Sequence, residues 1–168
     1  MMIVGIGGVS RAGKTTLAAW LRNQFPHKKT QILCQDDYVF PIDNIPRIND
    51  RINWEHPDSI DHVAFRKAII AESHNNDLVI AEGLMVFYDS LTLSLFDRML
   101  FVDLDYANFL KRKEYDNRWG HEPDWYVQHI WESYLKYGLS PEPNRTLYID
   151  GTRDFQPETI MEFINNTN

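Results

Sequence analysis

The 168-residue chain is long enough for one domain with a hydrophobic core, and its composition, 43% hydrophobic and 24% charged, is typical of a globular protein. The formal net charge of −7 argues against a nucleic-acid partner, which favours a basic face. Cys34 is the only cysteine, so an intrachain disulfide is excluded and a reducing compartment fits. We expect no signal peptide, no membrane-spanning segment and therefore a cytoplasmic protein.

The first predicted element is a strand at residues 2–6, and a glycine-rich octet follows it directly. Residues 8–15 read Gly-Val-Ser-Arg-Ala-Gly-Lys-Thr, the pattern of a phosphate-binding P-loop. The glycines let the backbone turn its N–H groups toward an anion, Lys14 reaches the terminal phosphates, and the Thr15 hydroxyl can hold Mg²⁺. The octet therefore predicts binding of a nucleoside triphosphate. The predicted contacts are Gly8, Val9, Ser10, Arg11, Ala12, Gly13, Lys14, Thr15 and Thr16.

The context of the octet favours a P-loop over a glycine-rich turn that binds nothing. Apolar residues after the octet are spaced as on one face of a helix, and Pro26 stops that helix. The order strand, loop, helix is the one that the motif requires. The apolar residues with helical spacing are Leu17, Trp20, Leu21 and Phe25.

Strand and helix patterns alternate along the rest of the chain. The runs at 78–81 and 99–102 are continuously apolar, as expected for strands covered on both faces. The alternation predicts a three-layer α/β fold, with helices on both sides of a mainly parallel, roughly five-stranded sheet, in a single domain over residues 1–168. The predicted strands are 2–6, 30–34, 77–81, 99–103 and 146–149, and the predicted helices are 14–25, 59–74, 106–117, 124–137 and 157–165.

The segment at approximately 38–58 is long and polar, contains three prolines and lacks a clear periodicity. A loop of this length in a compact domain is usually functional or disordered. The segment follows the second predicted strand, and ligands of parallel sheets bind beyond the carboxyl ends of the strands. We therefore predict that it forms a flap over the substrate.

Carboxylates follow three of the predicted strands, beside the P-loop. Asp36 is predicted to accept the proton of an attacking hydroxyl and to help order the Mg²⁺ shell, with Asp37 as the second candidate. Glu82 stands where a carboxylate would support the metal ion, and Asp150 follows the last predicted strand. The alternative for each is a turn residue, since Asp is common after strands.

A run of basic residues follows the fourth predicted strand. Arg112, Lys113 and Arg118 fall in a short predicted lid at approximately 112–123, which could fold over a triphosphate and stabilise charge in the transition state. The alternative is a solvated helix face whose cations lie near its C-terminus. For Lys111 the two interpretations are evenly balanced.

Aromatic residues are dense near the predicted pocket. Trp54 precedes Glu55, and an aromatic face beside an acidic group suits a flat ring, cationic or neutral, and the hydroxyls of a ribose. Core packing is the alternative for every single aromatic side chain, and we assign Trp125 to packing. The histidines lack metal-ligand spacing, so no zinc site is predicted and they are assigned to structure or surface. The aromatic residues near the pocket are Tyr38, Trp54, Tyr115, Trp119 and Trp125, and the histidines are His56, His121 and His129.

Together these motifs resemble the nicotinamide riboside kinases, within the wider uridine-kinase-like P-loop kinases. The resemblance covers nearly the whole chain. Many enzymes share the P-loop, whereas Gln-Asp-Asp, the helix Trp-x-x-Tyr-Leu-Lys-Tyr and the final Asp-Gly-Thr point more narrowly to the riboside kinases. The matching stretches are 5–9, 13–18, 35–38, 82–87, 129–131, 134–137 and 148–152.

The resemblance implies a P-loop kinase fold and ATP-dependent phosphorylation of the ribose 5′-hydroxyl of nicotinamide riboside, with Mg²⁺, to give nicotinamide mononucleotide for NAD synthesis. It implies that Arg153 follows a turn bordering the adenine, and that Arg118 and Trp119 continue the lid. The catalytic set is then Lys14, Asp36 and Arg112; the metal set is Thr15, Asp36 and Glu82; the substrate set is Asp36, Asp37, Tyr38, Trp54, Glu55 and Trp119; and the ATP set adds Lys113, Arg118 and Arg153 to the P-loop.

The chain departs from the pattern of the riboside kinases at two places. Their usual Tyr-Asp pair is here Trp54-Glu55, and the His-Pro that follows resembles the Phe-Asp-His-Pro of uridine kinases. The lid is shortened and carries Glu114 where an arginine is expected. A uridine or cytidine kinase is therefore the alternative within the class. A nucleotide-dependent switch or a silent binding module is the alternative outside it, although the GTPase motifs Asp-x-x-Gly and Asn-Lys-x-Asp are absent from the sequence.

Overall fold

A central β-sheet dominates the computed structural model, which describes residues 1–116, 120, 122–140 and 142–166. The strands are β1 (Met2–Gly8), β2 (Thr30–Cys34), β3 (Arg47–Ile48), β4 (Arg51–Ile52), β5 (Leu78–Glu82), β6 (Arg98–Asp103) and β7 (Thr146–Asp150). Five of them form one parallel sheet in the order β2-β5-β1-β6-β7, while β3 and β4 pair as a separate antiparallel hairpin.

Helices flank this sheet and supply the crossovers between its parallel strands. Asp61 and Asp105 cap two of these helices, because their carboxylates accept hydrogen bonds from Ala64 N and Asn108 N, each at 2.8 Å. Among the described residues, no helix is both long enough and apolar enough to cross a membrane. The helices are α1 (Lys14–Gln24), α2 (His62–Ser73), α3 (Ser90–Leu93), α4 (Tyr106–Glu114), α5 (Asp124–Ser133), which continues as a π-helical turn over Tyr134–Gly138, and α6 (Pro157–Asn165).

The fold class predicted from the sequence is confirmed, because the sheet is parallel, five-stranded and flanked by helices. The ends of the elements differ by a few residues from the prediction. Helix α2 begins at His62 rather than at residue 59, since Pro57–Ser59 forms a 3₁₀ turn and the Asp61 side chain caps the helix after it. Helix α3 and the β3–β4 hairpin were not predicted.

The core lies on both faces of the three inner strands. All five residues of β5 are buried, and so are residues 3–8 of β1 and 99–102 of β6. This burial explains why the runs at 78–81 and 99–102 are continuously apolar, since strands covered by helices on both faces have no polar side.

The carboxyl ends of the parallel strands meet at one edge of the sheet. In the strand register, Gly8 lies beside Val102, and Glu82 lies between Ile6 and Cys34. The loops that carry the P-loop, Asp36 and Glu82 therefore leave the sheet side by side, which is where ligands bind in folds of this kind.

Gly8 ends β1 with a φ of +141°, a backbone conformation that L side chains rarely adopt. A Cβ on this residue would lie 2.5 Å from Val102 O, a backbone atom of the neighbouring strand that has no room to shift. We expect Gly8→Ala to lower the free energy of unfolding by about 1–3 kcal/mol, measured by urea unfolding. Gly13→Ala is the matched control, because Gly13 also has a positive φ, +112°, but open space around it. An equal loss in both variants would contradict a role for the contact with Val102.

Candidate active site

The P-loop connects β1 to α1 as a tight, strained turn. Gly8, Arg11 and Gly13 all have positive φ values, of +141°, +66° and +112°, and Ala12 N donates to Val9 O at 3.1 Å. The N–H groups in the first turn of a helix have no intrahelical acceptor, and the helix dipole adds positive potential there. The start of α1 at the end of this loop therefore forms an anion-binding site of the kind that the octet predicts.

Lys14, the first residue of α1, folds its side chain back along this loop. Its ammonium group donates to Val9 O at 3.1 Å, and the residue is half-buried. The side chain thus holds a positive charge against the anion-binding loop, as expected for the P-loop lysine.

Thr15 and Glu82, two of the predicted metal-binding residues, are in direct contact. Thr15 Oγ1 donates to Glu82 Oε1 at 2.7 Å, and Glu82 is only 2% exposed at the end of β5. A hydroxyl and a carboxylate oxygen are hard ligands of the type that Mg²⁺ prefers, and Mg²⁺ usually takes only one or two carboxylates besides phosphates and water. This pair therefore fits a magnesium ion bound together with a triphosphate.

Asp36 and Asp37 lie on the 3₁₀ turn Gln35–Tyr38 that follows β2. Gln35 anchors the turn, because its buried side chain accepts a hydrogen bond from Met85 N at 3.0 Å and packs where a Cβ on Gly83 would lie 2.5 Å from Gln35 Cβ. With Gln35 held inside, both aspartates are exposed at the same edge as Glu82.

Cys34 shows that these carboxylates are close neighbours. Burial raises the pKa of its thiol to about 12, and the charges of Glu82 and Asp36 contribute to the rise. The end of β2 is therefore a site of negative potential, and its thiol is held in the protonated form.

Tyr38, predicted to bind substrate, is half-buried and packs against Phe65 of α2 with ring centroids 5.1 Å apart. This contact fixes the start of the long loop on α2. A contact between Tyr38 and the substrate stays a prediction.

Glu55 lies among the charged groups of the site. Desolvation by burial raises its pKa to about 7, although Lys113 and Lys14 oppose this shift; Asp36 and Glu122 act in the same direction as burial. The long loop therefore brings Glu55 within electrostatic reach of Lys14, Asp36 and Lys113. Trp54 beside it is 40% exposed, and its carbonyl accepts a hydrogen bond from Ser59 Oγ at 2.8 Å.

Arg112 fastens α4 to the P-loop. Its guanidinium donates to Arg11 O at 2.9 Å, to Ala12 O at 3.0 Å and to Gly151 O in the turn after β7. These bonds reach the carbonyl groups of the loop and so stabilise its shape, a role that the sequence interpretation missed. Its predicted contact with the transferred phosphate stays a prediction.

Lys113, predicted to lie in the lid, takes part in a buried ion-pair network. Its ammonium group pairs with Glu122 and lies 3.8 Å from Asp116, which in turn lies 3.9 Å from Arg11 Nε. The network joins the P-loop, the end of α4 and the segment before α5. No sequence motif indicates this arrangement, and a contact between Lys113 and ATP stays a prediction.

Among the remaining predicted site residues, Arg153 lies on the surface, and the others lie outside the described residues. Arg153 is exposed and pairs with Asp150 at 2.9 Å, so it lies at the carboxyl end of β7. Arg118 and Trp119 of the predicted lid lie outside the described residues, as does His121.

Trp125, assigned to packing from the sequence, is 38% exposed. It lines a cavity of about 630 Å³ between α4 and α5, together with Lys113 and Glu122. The cavity therefore borders the buried ion-pair network on the side of α5.

No protein-family profile matches this chain, whereas comparisons with individual proteins do. Human nicotinamide riboside kinase 2 is 25% identical over an alignment of 190 positions that covers 99% of this chain and 82% of that protein. The uridine kinase of Lactobacillus helveticus is 28% identical over 68% of this chain and 67% of its own. The structure of deoxyadenosine kinase from M. mycoides with bound dATP matches with a TM-score of 0.61 at 16% identity, over 99% of this chain and 100% of that one.

The sheet order, the P-loop and these matches define a P-loop kinase fold. The resemblance to the nicotinamide riboside and uridine kinases is confirmed, since curated relatives of both kinds align over most of the chain. This similarity supports a phosphotransferase activity.

Proposed function

We propose that this protein transfers the γ-phosphoryl group of ATP to the ribose 5′-hydroxyl of a nucleoside, with nicotinamide riboside as the preferred acceptor and nicotinamide mononucleotide as the product for NAD salvage. The observation that carries the proposal is the convergence at one sheet edge of the P-loop, the Thr15–Glu82 pair and the exposed Asp36. Glu55 completes this set from the long loop, within electrostatic reach of Lys14 and Asp36.

The donor side of the site binds the triphosphate. The backbone N–H groups of the P-loop and the first turn of α1 hold the phosphate oxygens, and Lys14 adds a cation beside them. Thr15 and Glu82, with Asp36, would hold Mg²⁺, which would supply positive charge to neutralise the charge that develops on the phosphates. Arg112 keeps the loop in its binding shape and adds positive charge near it.

The acceptor side of the site holds and activates the nucleoside. Asp36 accepts the proton of the 5′-hydroxyl as that oxygen attacks the γ-phosphorus, and the P–O bond to ADP breaks in line with the attack. Glu55 accepts hydrogen bonds from the other ribose hydroxyls, and Trp54 covers the base with its exposed ring. Asp37 and Tyr38 border the same site.

The lid covers the ATP side of this site. We assign Lys113, Arg118 and Trp119 to the lid and Arg153 to the adenine border, because Lys113 lies in the last turn of α4 and Arg153 follows β7 at the carboxyl edge of the sheet. Closing such a segment over the phosphates excludes water, which would otherwise compete with the ribose hydroxyl.

A pyrimidine nucleoside is the second candidate acceptor, since a uridine kinase is among the relatives and His56-Pro57 follows Glu55. The test is ADP formation with equal concentrations of nicotinamide riboside, nicotinic acid riboside, uridine and cytidine. We expect the highest kcat/KM with nicotinamide riboside. A clear preference for a pyrimidine would overturn the choice of acceptor, and no ADP with any nucleoside would overturn the kinase proposal in favour of a binding module.

The raised pKa of Glu55 predicts a pH-dependent affinity for the nucleoside. With a pKa of about 7, the carboxyl binds a proton as the pH falls from 8 to 6 and becomes a poorer hydrogen-bond acceptor. We expect the KM for the nucleoside to rise about tenfold over this range, because the ionised fraction falls by about that factor. The KM for ATP serves as the internal reference.

The same pKa predicts the sign of a stability change. The pKa of Glu55 in the folded chain lies above its ordinary value of 4.5, so the carboxyl binds its proton more tightly in the folded state. Its contribution to the free energy of unfolding therefore falls as the pH rises from about 4.5 through 7. Glu55→Gln should therefore raise the Tm more at pH 8 than at pH 5, and it should flatten the pH profile of the nucleoside KM. The exposed Glu158→Gln is the control, and an unchanged profile in Glu55→Gln would contradict the assignment.

A further inference from the structure

Helix α5 presents two polar side chains to the segment that carries Trp54 and Glu55. Tyr126 Oη donates to Ile52 O at 3.1 Å, and His129 Nε2 donates to Asn53 Oδ1 at 2.8 Å. Residues three apart lie on the same face of a helix, so both side chains reach the same stretch of the loop.

Hydrogen bonds from other parts of the long loop also hold this segment in place. Asn53 N donates to Pro46 O at 2.7 Å, and Ser59 Oγ donates to Trp54 O at 2.8 Å. Contacts therefore hold the backbone from Ile52 to Trp54, while the Trp54 ring stays 40% exposed.

The pair formed by Asn53 and His129 is costly to break. Asn53 is 7% exposed, so its side-chain amide would lose its partner without gaining water if His129 were removed. Burial lowers the pKa of His129, as does the nearby His56, while Glu132 acts in the opposite direction. At neutral pH the ring is therefore uncharged, and its Nε2 proton is committed to Asn53.

We infer that His129 and Asn53 are positioning residues for the acceptor nucleoside. Their hydrogen bond fixes the backbone that presents Trp54 and Glu55, and so sets the affinity for the nucleoside without touching the donor site or the reacting atoms. The inference rests on the proposed function, in which Trp54 and Glu55 bind the nucleoside. Asn53 and His129 are 76 residues apart in the sequence, so the pair links the flap to α5.

The test measures separate KM values for nucleoside and ATP in four variants of the full chain: His129→Ala, His129→Gln, Asn53→Ala and the double alanine variant. We expect each single alanine variant to raise the nucleoside KM about threefold to tenfold, and to leave kcat and the KM for ATP within about twofold. The double variant should be no worse than either single one, because both remove the same bond. His129→Gln should restore much of the affinity, since its side-chain amide can donate to Asn53. The exposed His27→Ala is the matched control.

Three outcomes would overturn the inference: an equal rise in the KM for ATP, additive effects in the double variant, or no recovery in His129→Gln. Amide hydrogen exchange of residues 51–56 gives a readout without turnover, and it should accelerate in His129→Ala but not in His27→Ala. Glu55→Gln, assayed in parallel, separates the two proposals. If Glu55→Gln raises the nucleoside KM and His129→Ala does not, the positioning role alone is wrong. If neither does, the proposed nucleoside site is wrong.

Discussion

Asp36→Asn is expected to lower kcat about 10²–10⁴-fold, the usual contribution of a positioned general base, while the affinity for ATP stays within about twofold. An amide has nearly the shape of the carboxylate but cannot accept the proton of the 5′-hydroxyl. Asp36 is exposed on a turn that Gln35 anchors, so the substitution leaves the packing of β2 intact. Turnover is measured as ADP formation and ATP affinity by calorimetry.

Two further variants make this experiment decisive. Asp37→Asn tests the neighbouring carboxylate, the second candidate for the proton acceptor, and the exposed Asp43→Asn controls for the loss of a charge from the same loop. Near-full activity in Asp36→Asn would remove Asp36 from the chemistry, and a large loss in Asp37→Asn alone would assign the role to Asp37.

Lys14→Met is expected to lower kcat/KM for ATP about 10²–10³-fold. This is the usual effect of removing one preorganised group that stabilises negative charge in the transition state. The ammonium group rests against Val9 O at 3.1 Å, so its charge stands at the loop itself. Unlike Asp36→Asn, this variant should also lose part of the thermal stabilisation that ATP gives, because the lysine contributes to binding as well as to turnover.

The exposed Lys29→Met removes the same charge from the loop before β2 and serves as the control for Lys14→Met. If ATP stabilised the Lys14→Met variant as much as the unchanged protein, the interpretation of residues 8–15 as a triphosphate site would be contradicted.

The sheet and the P-loop could be predicted from the sequence because their signals are local. Apolar runs mark β5 and β6, and the octet specifies a strand, a loop and a helix start within a short stretch. The β3–β4 hairpin was missed because its turn, Asn49-Asp50, carries a weaker signal than Asn-Gly. Both residues adopt positive φ, +44° and +61°, as a two-residue hairpin turn requires.

The burial and the pKa shifts of the charged residues could not be predicted from the sequence, because they depend on contacts between distant segments. Lys113 was predicted to lie in a lid or on a solvated helix face, and lysine is rarely buried, whereas Glu122 and Asp116 make its burial possible. The raised pKa of Glu55 has the same origin, since burial by separate elements causes it. His129 was assigned to structure or surface because it lacks metal-ligand spacing, and its partner Asn53 lies on the long loop, 76 residues away in the sequence.

The three carbonyl bonds of Arg112 have a mechanical consequence. They join the last turn of α4 to the phosphate-binding turn and to the turn after β7, so this end of the helix moves only with the body of the domain. Any movement that admits a ligand must then leave Arg112 and the phosphate-binding turn in contact. Under the proposed function, ATP would bind to a phosphate-binding turn whose shape is fixed before the nucleotide arrives.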